Sequence, residues 1–192
     1  MMPETRKREE LIRVCRQLEK QGLIAASDGN VSCRTGSGRL LITPSGKRKG
    51  ELGPLDLILV DLSRGSIVTG RGAASSEIRM HFLVYRERSD VEAVVHAHPP
   101  LLTAFTLAGI PFSADVLPEV WLTIGPVPTA PYATPSTDEL PEAIQPFVQD
   151  SQAILMERHG SITFGSSLKE AYMRLEKLEN TARTLFYSYL LQ

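Results

Sequence analysis

The stretch Ala93-Val94-Val95-His96-Ala97-His98-Pro99-Pro100 decides how this chain is read. Small and β-branched apolar residues lead into His-x-His, and two prolines stop the run. Residues two apart on a strand point to one face, so the spacing predicts that His96 and His98 aim their imidazoles at a single point. Two nitrogens converging from a stiff strand are half of a transition-metal site, since zinc takes three or four ligands. Taken alone, the pair also fits a buried strand with two incidental histidines.

A third imidazole lies further along. His159 stands in Arg158-His159-Gly160, at the end of the strand-like run Ala153 to Glu157, where a loop can carry it to the first pair. Three neutral imidazoles hold a zinc ion and leave a fourth position open for substrate or water, the arrangement of a catalytic site. The expectation is one Zn2+ per chain on His96, His98 and His159, with another divalent metal as the alternative.

Three polar loops make a second constellation: Gly29-Asn30, Ser45-Gly46 and Ser75-Ser76. Each offers backbone N–H groups or hydroxyls in turn geometry, and the last precedes a helical pattern. Such groups suit a phosphate, through hydrogen bonding and the positive end of the helix dipole, although most Gly, Ser and Asn pairs serve only their turns. Glu77 follows directly. Beside a metal it can take and return protons; otherwise it partners the helix dipole. His81, four residues on, shares its helix face and is expected to support the site rather than ligate.

Outward from these motifs, residues 4–21 read as a helix ending near Gly22, then Val31 to Arg34 and Arg39 to Thr43 as strands joined by Thr35-Gly36-Ser37-Gly38. Leu57-Ile58-Leu59-Val60 reads as a strand buried on both faces, returning through Ile67-Val68-Thr69. Ser76 to Arg88 is helical, with Ser75 as its N-cap. Pro99 and Pro100 open a helix through Leu107. A strand is expected near Val120 to Ile124, and a capping box at Ser136-Thr137-Asp138-Glu139 should open a helix to about Val148. Ser161 to Phe164 is the hairpin partner of the Ala153 strand. Ser167 to Glu170 has the form of a second capping box, opening a long amphipathic helix. Neither a repeat nor a linker breaks the pattern. The fold class is therefore α/β: a single domain over residues 1–192, with helices flanking a mixed or antiparallel sheet.

Composition narrows the class. A net charge of −1 gives no reason to expect a nucleic-acid partner, and the Lys47-Arg48-Lys49 run lacks interleaved aromatics. No apolar stretch approaches the roughly 20 residues that span a bilayer, so no membrane partner is expected. Met1 to Glu10 lacks the apolar core of a signal peptide, and Cys15 and Cys33 form no disulfide pattern. The expected compartment is the cytoplasm.

Read together, these residues resemble the class II, zinc-dependent aldolase/adducin-head family, nearest its L-fuculose-phosphate aldolase branch. The motifs that carry the likeness are Gly29-Asn30-Val31-Ser32, Thr43-Pro44-Ser45-Gly46, Ser75-Ser76-Glu77, Val94-Val95-His96-Ala97-His98, Ala130-Pro131-Tyr132-Ala133-Thr134 and Arg158-His159-Gly160. The resemblance spans about residues 5–190. It implies an α/β/α sandwich around a mainly antiparallel sheet, with zinc on His96, His98 and His159 and Glu77 as the acid/base. It also implies a substrate phosphate held by Gly29, Asn30, Ser45, Gly46, Ser75 and Ser76. The implied substrate is a small sugar phosphate, an L-fuculose 1-phosphate-like ketose 1-phosphate cleaved to dihydroxyacetone phosphate and an aldehyde. The implied assembly is a homotetramer with sites at subunit interfaces.

One departure matters. That branch places a proton-donating tyrosine after the metal strand, and Leu117-Pro118-Glu119-Val120-Trp121-Leu122 holds none. Glu119 instead suits a zinc-dependent methylthioribulose-1-phosphate dehydratase, the rival within the family. An epimerase is disfavoured, because that branch carries aspartate where Glu77 stands. A non-catalytic adducin-like interaction module is disfavoured by the complete histidine triad.

Overall fold

β5 (Ala93–Ala97), the strand that ends in His-x-His, runs through the middle of the molecule. In the computed structural model, which describes residues 3–36 and 38–192, it pairs antiparallel with β1 (Asn30–Thr35) and β8 (Gly160–Gly165). Beyond β1 lie β2 (Arg39–Ile42), β3 (Ile58–Asp61) and β4 (Ile67–Thr69); beyond β8 lie β7 (Ala153–Met156) and β6 (Thr129–Ala130). Every neighbouring pair is antiparallel except β6 with β7. The mainly antiparallel sheet that the family resemblance implies is the one that forms.

Helices cover both faces. On one side α1 (Glu4–Lys20), α3 (Pro100–Leu107), α4 (Pro118–Ile124) and α6 (Leu168–Leu190) pack over Val31, Cys33, Val95 and Ala97. On the other, α2 (Ile78–Glu87) and α5 (Glu139–Val148) pack over Ile42, Ile58, Val94 and Ile162. Each fully buried Leu, Ile or Val contributes about 1.5–3 kcal/mol, and a one-residue slip of β5 would exchange the two faces. Apolar burial on both sides therefore fixes His96 on the α2 side. Arg88 ties that layer together, donating to the carbonyls of Val148, Gln149 and Ser151 at 3.0–3.1 Å.

Three local expectations are corrected. Val120 to Ile124 is not a strand but the helix α4, opened by Pro118 at its first turn. Val120 and Ile124, four apart, are buried, while Trp121 and Leu122 face outward, which a strand alternation would not allow. Ser75 is not the N-cap of α2, because the helix begins at Ile78 with Glu77 in the cap position. The Ser136–Glu139 capping box does not form. Ser136 sits at φ 66° with its hydroxyl on Ser76 Oγ, and the Glu139 carboxylate instead accepts the N–H of Thr134. The second box half-forms: Ser167 Oγ accepts the N–H of Glu170, whose carboxylate accepts that of Ser166. Part of the Thr35–Gly38 turn, Ser37, lies outside the described residues. Among the described residues, no helix is long and apolar enough to cross a membrane.

Candidate active site

His96 is fully buried near the end of β5, and His98 follows one residue past the strand. His159 arrives on the tight turn between β7 and β8. That turn needs glycine at position 160: its φ is 145°, and a Cβ there would lie 2.4 Å from the Ala97 carbonyl oxygen and 2.9 Å from the His98 ring. Gly29 plays the same part on the other side. Its φ is 69°, and a Cβ would meet the His96 carbonyl at 2.9 Å. Two glycines thus let two loops close against the metal strand.

The three rings gather with centroids 4.9–5.1 Å apart, and one nitrogen from each lies within 4.8 Å of the others. Hydrogen bonding alone does not account for this. His96 spends Nδ1–H on the Ser161 carbonyl at 2.9 Å, so its Nε2 turns a lone pair toward His98 Nε2, 3.0 Å away. His159 Nδ1 is buried without a hydrogen-bond partner. His98 Nδ1 faces the Asp28 carboxylate at 3.8 Å, leaving Nε2 for the centre. Burial, then repulsion from His96 and His159, pushes the His98 pKa down to about 3, so the ring is neutral at pH 7. Imidazoles whose nitrogens converge in this way are the donor set of a divalent transition metal, and these residues fit one.

Glu77 closes the cluster. Its Oε1 is 3.1 Å from His159 Nε2 and its Oε2 3.2 Å from His96 Nε2, with the side chain only 10 % exposed. Burial pushes this carboxyl up, but the His159 and His96 rings beside it outweigh that and hold the group well below the usual carboxylate range. Asn30 Nδ2 donates to Oε2 at 2.8 Å.

Beside the histidines lies a cleft of about 390 Å³, lined by Gly29, Asn30, Ser45, Gly46, Ser75, Ser76, Glu77, His98 and His159. Every loop read from the sequence is brought to this one place. Their donors are not equivalent: the N–H groups of Ser45 and Ser75 are spent on the carbonyls of Ala73 and Thr43. Those of Gly46 and Ser76 have no backbone partner among the described residues. Glu119 is absent from this lining. It sits in the first turn of α4.

Sequence reasoning missed Lys49, among the described residues the one lysine or arginine lining the cleft. Part of the local basic run Lys47-Arg48-Lys49, it is 2 % exposed and donates to the carbonyls of Ser27 and Lys47 at 2.6 and 2.8 Å, tying two cleft loops together. Burial lowers its pKa. No periodic signal marks it. A larger hollow of about 630 Å³ runs along α6, but its buried carboxylate, Glu179, is already satisfied by the N–H groups of Leu101 and Leu102.

Three converging imidazoles, an adjacent carboxylate and an anion-suited cleft suit a metal-dependent enzyme, and comparison with known proteins points to a lyase. The sequence model described as Class II Aldolase and Adducin N-terminal domain matches residues 9–186. The chain belongs to this class II aldolase family. It is 33% identical to an L-fuculose phosphate aldolase of Methanococcus maripaludis, covering 91% of this chain and 93% of that one. It is 34% identical to a 3-oxo-tetronate 4-phosphate decarboxylase of Escherichia coli K12, over 93% and 85% of the two chains. The crystal structure of YgbL from Klebsiella pneumoniae superposes with a TM-score of 0.90 at 34% identity, covering 97% of this chain and 91% of that one.

Proposed function

We propose that this chain is a zinc-dependent aldolase that cleaves a ketose 1-phosphate, L-fuculose 1-phosphate or a close relative, to dihydroxyacetone phosphate and an aldehyde. The observation that carries the reading is the position of Glu77, within 3.1–3.2 Å of two of the three imidazoles and on the wall of the phosphate-suited cleft. A zinc ion on His96, His98 and His159 supplies Lewis-acid stabilisation of the negative charge that develops on the substrate oxygens.

The protein's own groups do the rest. The phosphate sits against the N–H groups of Gly46 and Ser76 and the hydroxyls of Ser45 and Ser75, with the Lys49 ammonium nearby, and Gly29 and Asn30 close the cradle. This anchoring fixes the keto carbon opposite the imidazoles. When the bond between C3 and C4 breaks, the C4 hydroxyl passes its proton to the Glu77 carboxylate and the aldehyde departs. The electron pair remains on C3, delocalised onto the keto oxygen. Glu77 delivers the proton that C3 then takes, and withdraws it in the synthetic direction.

A second reading is favoured by the decarboxylase relative. Loss of carbon dioxide from a 3-oxo-tetronate 4-phosphate leaves an electron pair beside a keto group and, after protonation, the same three-carbon keto phosphate. Phosphate cradle, imidazoles and Glu77 serve both reactions, which differ only in the leaving group. The dehydratase reading needs Glu119 from a neighbouring chain, and the complete triad speaks against a non-catalytic module. We place the enzyme in the cytoplasm as a homotetramer, with α4 at the subunit boundary. The deciding experiment presents the zinc-loaded protein with a panel of ketose 1-phosphates and 3-oxo-tetronate 4-phosphate, scored for dihydroxyacetone phosphate, carbon dioxide and dehydrated product. Dihydroxyacetone phosphate with an aldehyde supports the first reading; a dehydrated product overturns it.

A further inference from the structure

Behind Glu77, four buried side chains form one unbroken line of hydrogen bonds. Tyr85 Oη lies 2.8 Å from Ser32 Oγ, and Ser32 Oγ 2.7 Å from His81 Nδ1. His81 Nε2 lies 2.5 Å from Asn30 Oδ1, and Asn30 Nδ2 2.8 Å from Glu77 Oε2. The line crosses from α2 to β1, back to α2, back to β1, and ends at the carboxylate. All four residues before Glu77 are 3 % exposed or less.

Chemistry fixes the direction of every bond. An ionised carboxylate only accepts, so the Asn30 amide turns Nδ2 toward Glu77 and Oδ1 toward His81. Oδ1 only accepts, so His81 carries its proton on Nε2. Burial above all pushes the His81 pKa down to about 3, so the ring is neutral and Nδ1 is an acceptor. Ser32 must then donate to Nδ1, and Tyr85 to Ser32. Reversing any one bond leaves two acceptors or two donors face to face. A buried polar chain of this kind is costly when partly satisfied and specifies one arrangement when complete.

We propose that His81 is a positioning residue for Glu77, acting through Asn30. The Tyr85–Ser32–His81 chain holds the Asn30 amide in the orientation that presents Nδ2 to Oε2, so the carboxylate is pinned by one oxygen and exchanges protons through the other, Oε1. This rests on the reading of Glu77 as the proton-transfer group. It also separates the roles of Asn30: one Nδ2 proton and the oxygen are committed within the chain, and a single Nδ2 proton remains for substrate.

The test uses the full-length, zinc-loaded protein and two readouts. Nitrogen-15 NMR of histidine-labelled wild type should show His81 protonated at Nε2 and unchanged between about pH 5 and pH 8. A protonated Nδ1 overturns the proposal, and this readout needs no substrate. The second readout is exchange of the C3 proton of dihydroxyacetone phosphate with deuterium oxide. His81→Leu should lower the maximal exchange rate by on the order of 10–100-fold, with zinc content and the KM for dihydroxyacetone phosphate unchanged. His81→Gln, which restores an N–H toward Asn30, should recover most of it. If His81→Leu does not fold, Tyr85→Phe, which removes only the last donor, takes its place. Normal exchange in these variants, or a loss that tracks zinc or KM, overturns the positioning role. Full exchange in Glu77→Gln, or none in wild type, instead overturns the parent reading.

Discussion

Asn30 Nδ2 donates to Glu77 Oε2 across 2.8 Å, joining the first residue of the strand β1 to the residue that caps α2. Asn30 stands opposite His96 in the β1–β5 register. The same register that seats one metal-suited imidazole therefore sets the height of the carboxylate beside it. Site geometry here is inherited from sheet pairing, and it changes only if the register changes.

The first prediction concerns the metal. Purified protein should bind about one zinc ion per chain, and His96→Ala should abolish binding and turnover. Chelation should lower the stability to urea by roughly 4 kcal/mol relative to protein held at about 1,000 times the dissociation constant. Elemental analysis finding no divalent metal at equilibrium with zinc would remove the centre.

Glu77→Gln keeps the side chain's size and removes its basicity. As a general acid/base the group is worth about 10²–10⁴ in rate, so turnover should collapse while zinc content and folding survive. Glu119→Gln, made in parallel, should leave turnover unchanged. The opposite pair of results would move the dehydratase reading ahead.

At Gly160 the prediction is about the backbone. Gly160→Ala asks a residue with a Cβ to adopt φ 145° and to press on the Ala97 carbonyl. The strained φ alone costs about 1–3 kcal/mol, and the clash adds to it. Equilibrium unfolding should show at least that loss. Zinc affinity should fall as well, because the His98 ring is the second atom group displaced. Unchanged stability and affinity would show that the turn is looser than its geometry indicates.

Acid should destabilise the protein partly through His81. Its pKa lies near 3 in the fold, pushed down by burial and then by His96, against 6.5 for an unperturbed histidine. Between those values the unfolded chain binds a proton that the folded chain does not. Stability therefore falls as pH drops below about 6.5, by about 2 kcal/mol for this group at pH 5. Urea titrations at pH 7 and pH 5 should show His81→Gln losing less on acidification than wild type by about that amount. An identical loss in the two proteins would contradict the neutral, buried imidazole.

Assembly is the fifth prediction. Trp121 and Leu122 on α4 are 48 % and 82 % exposed, an apolar pair of the kind that anchors subunit contacts. Sedimentation at micromolar concentration should find a tetramer, and Leu122→Arg with Trp121→Arg should dissociate it. A wild-type monomer with full activity would remove the ring.

What the sequence determined by itself is what short-range periodicity carries. A period of two turned His96 and His98 to one face, although His98 lies one residue past the strand, and helical spacing placed α1, α2, α3, α5 and α6 to within a few residues. The loops Gly29-Asn30, Ser45-Gly46 and Ser75-Ser76 were legible as one polar constellation before any of them had a position. Tertiary structure decided the rest. Val120 to Ile124 is apolar enough for either element, and Pro118 together with burial against α6 made it helical. Ser136 has the composition of a cap, but its place over Ser76 drew its hydroxyl into the cleft wall. Lys49 stood out only as part of a local basic run until the carbonyls of Ser27 and Lys47 claimed it. His159 meets its partners only because β8 pairs with β5, and His81 reaches Glu77 only through a residue of β1. Periodicity is a property of neighbours along the chain, whereas a hydrogen bond between distant residues exists only after the sheet has chosen its register.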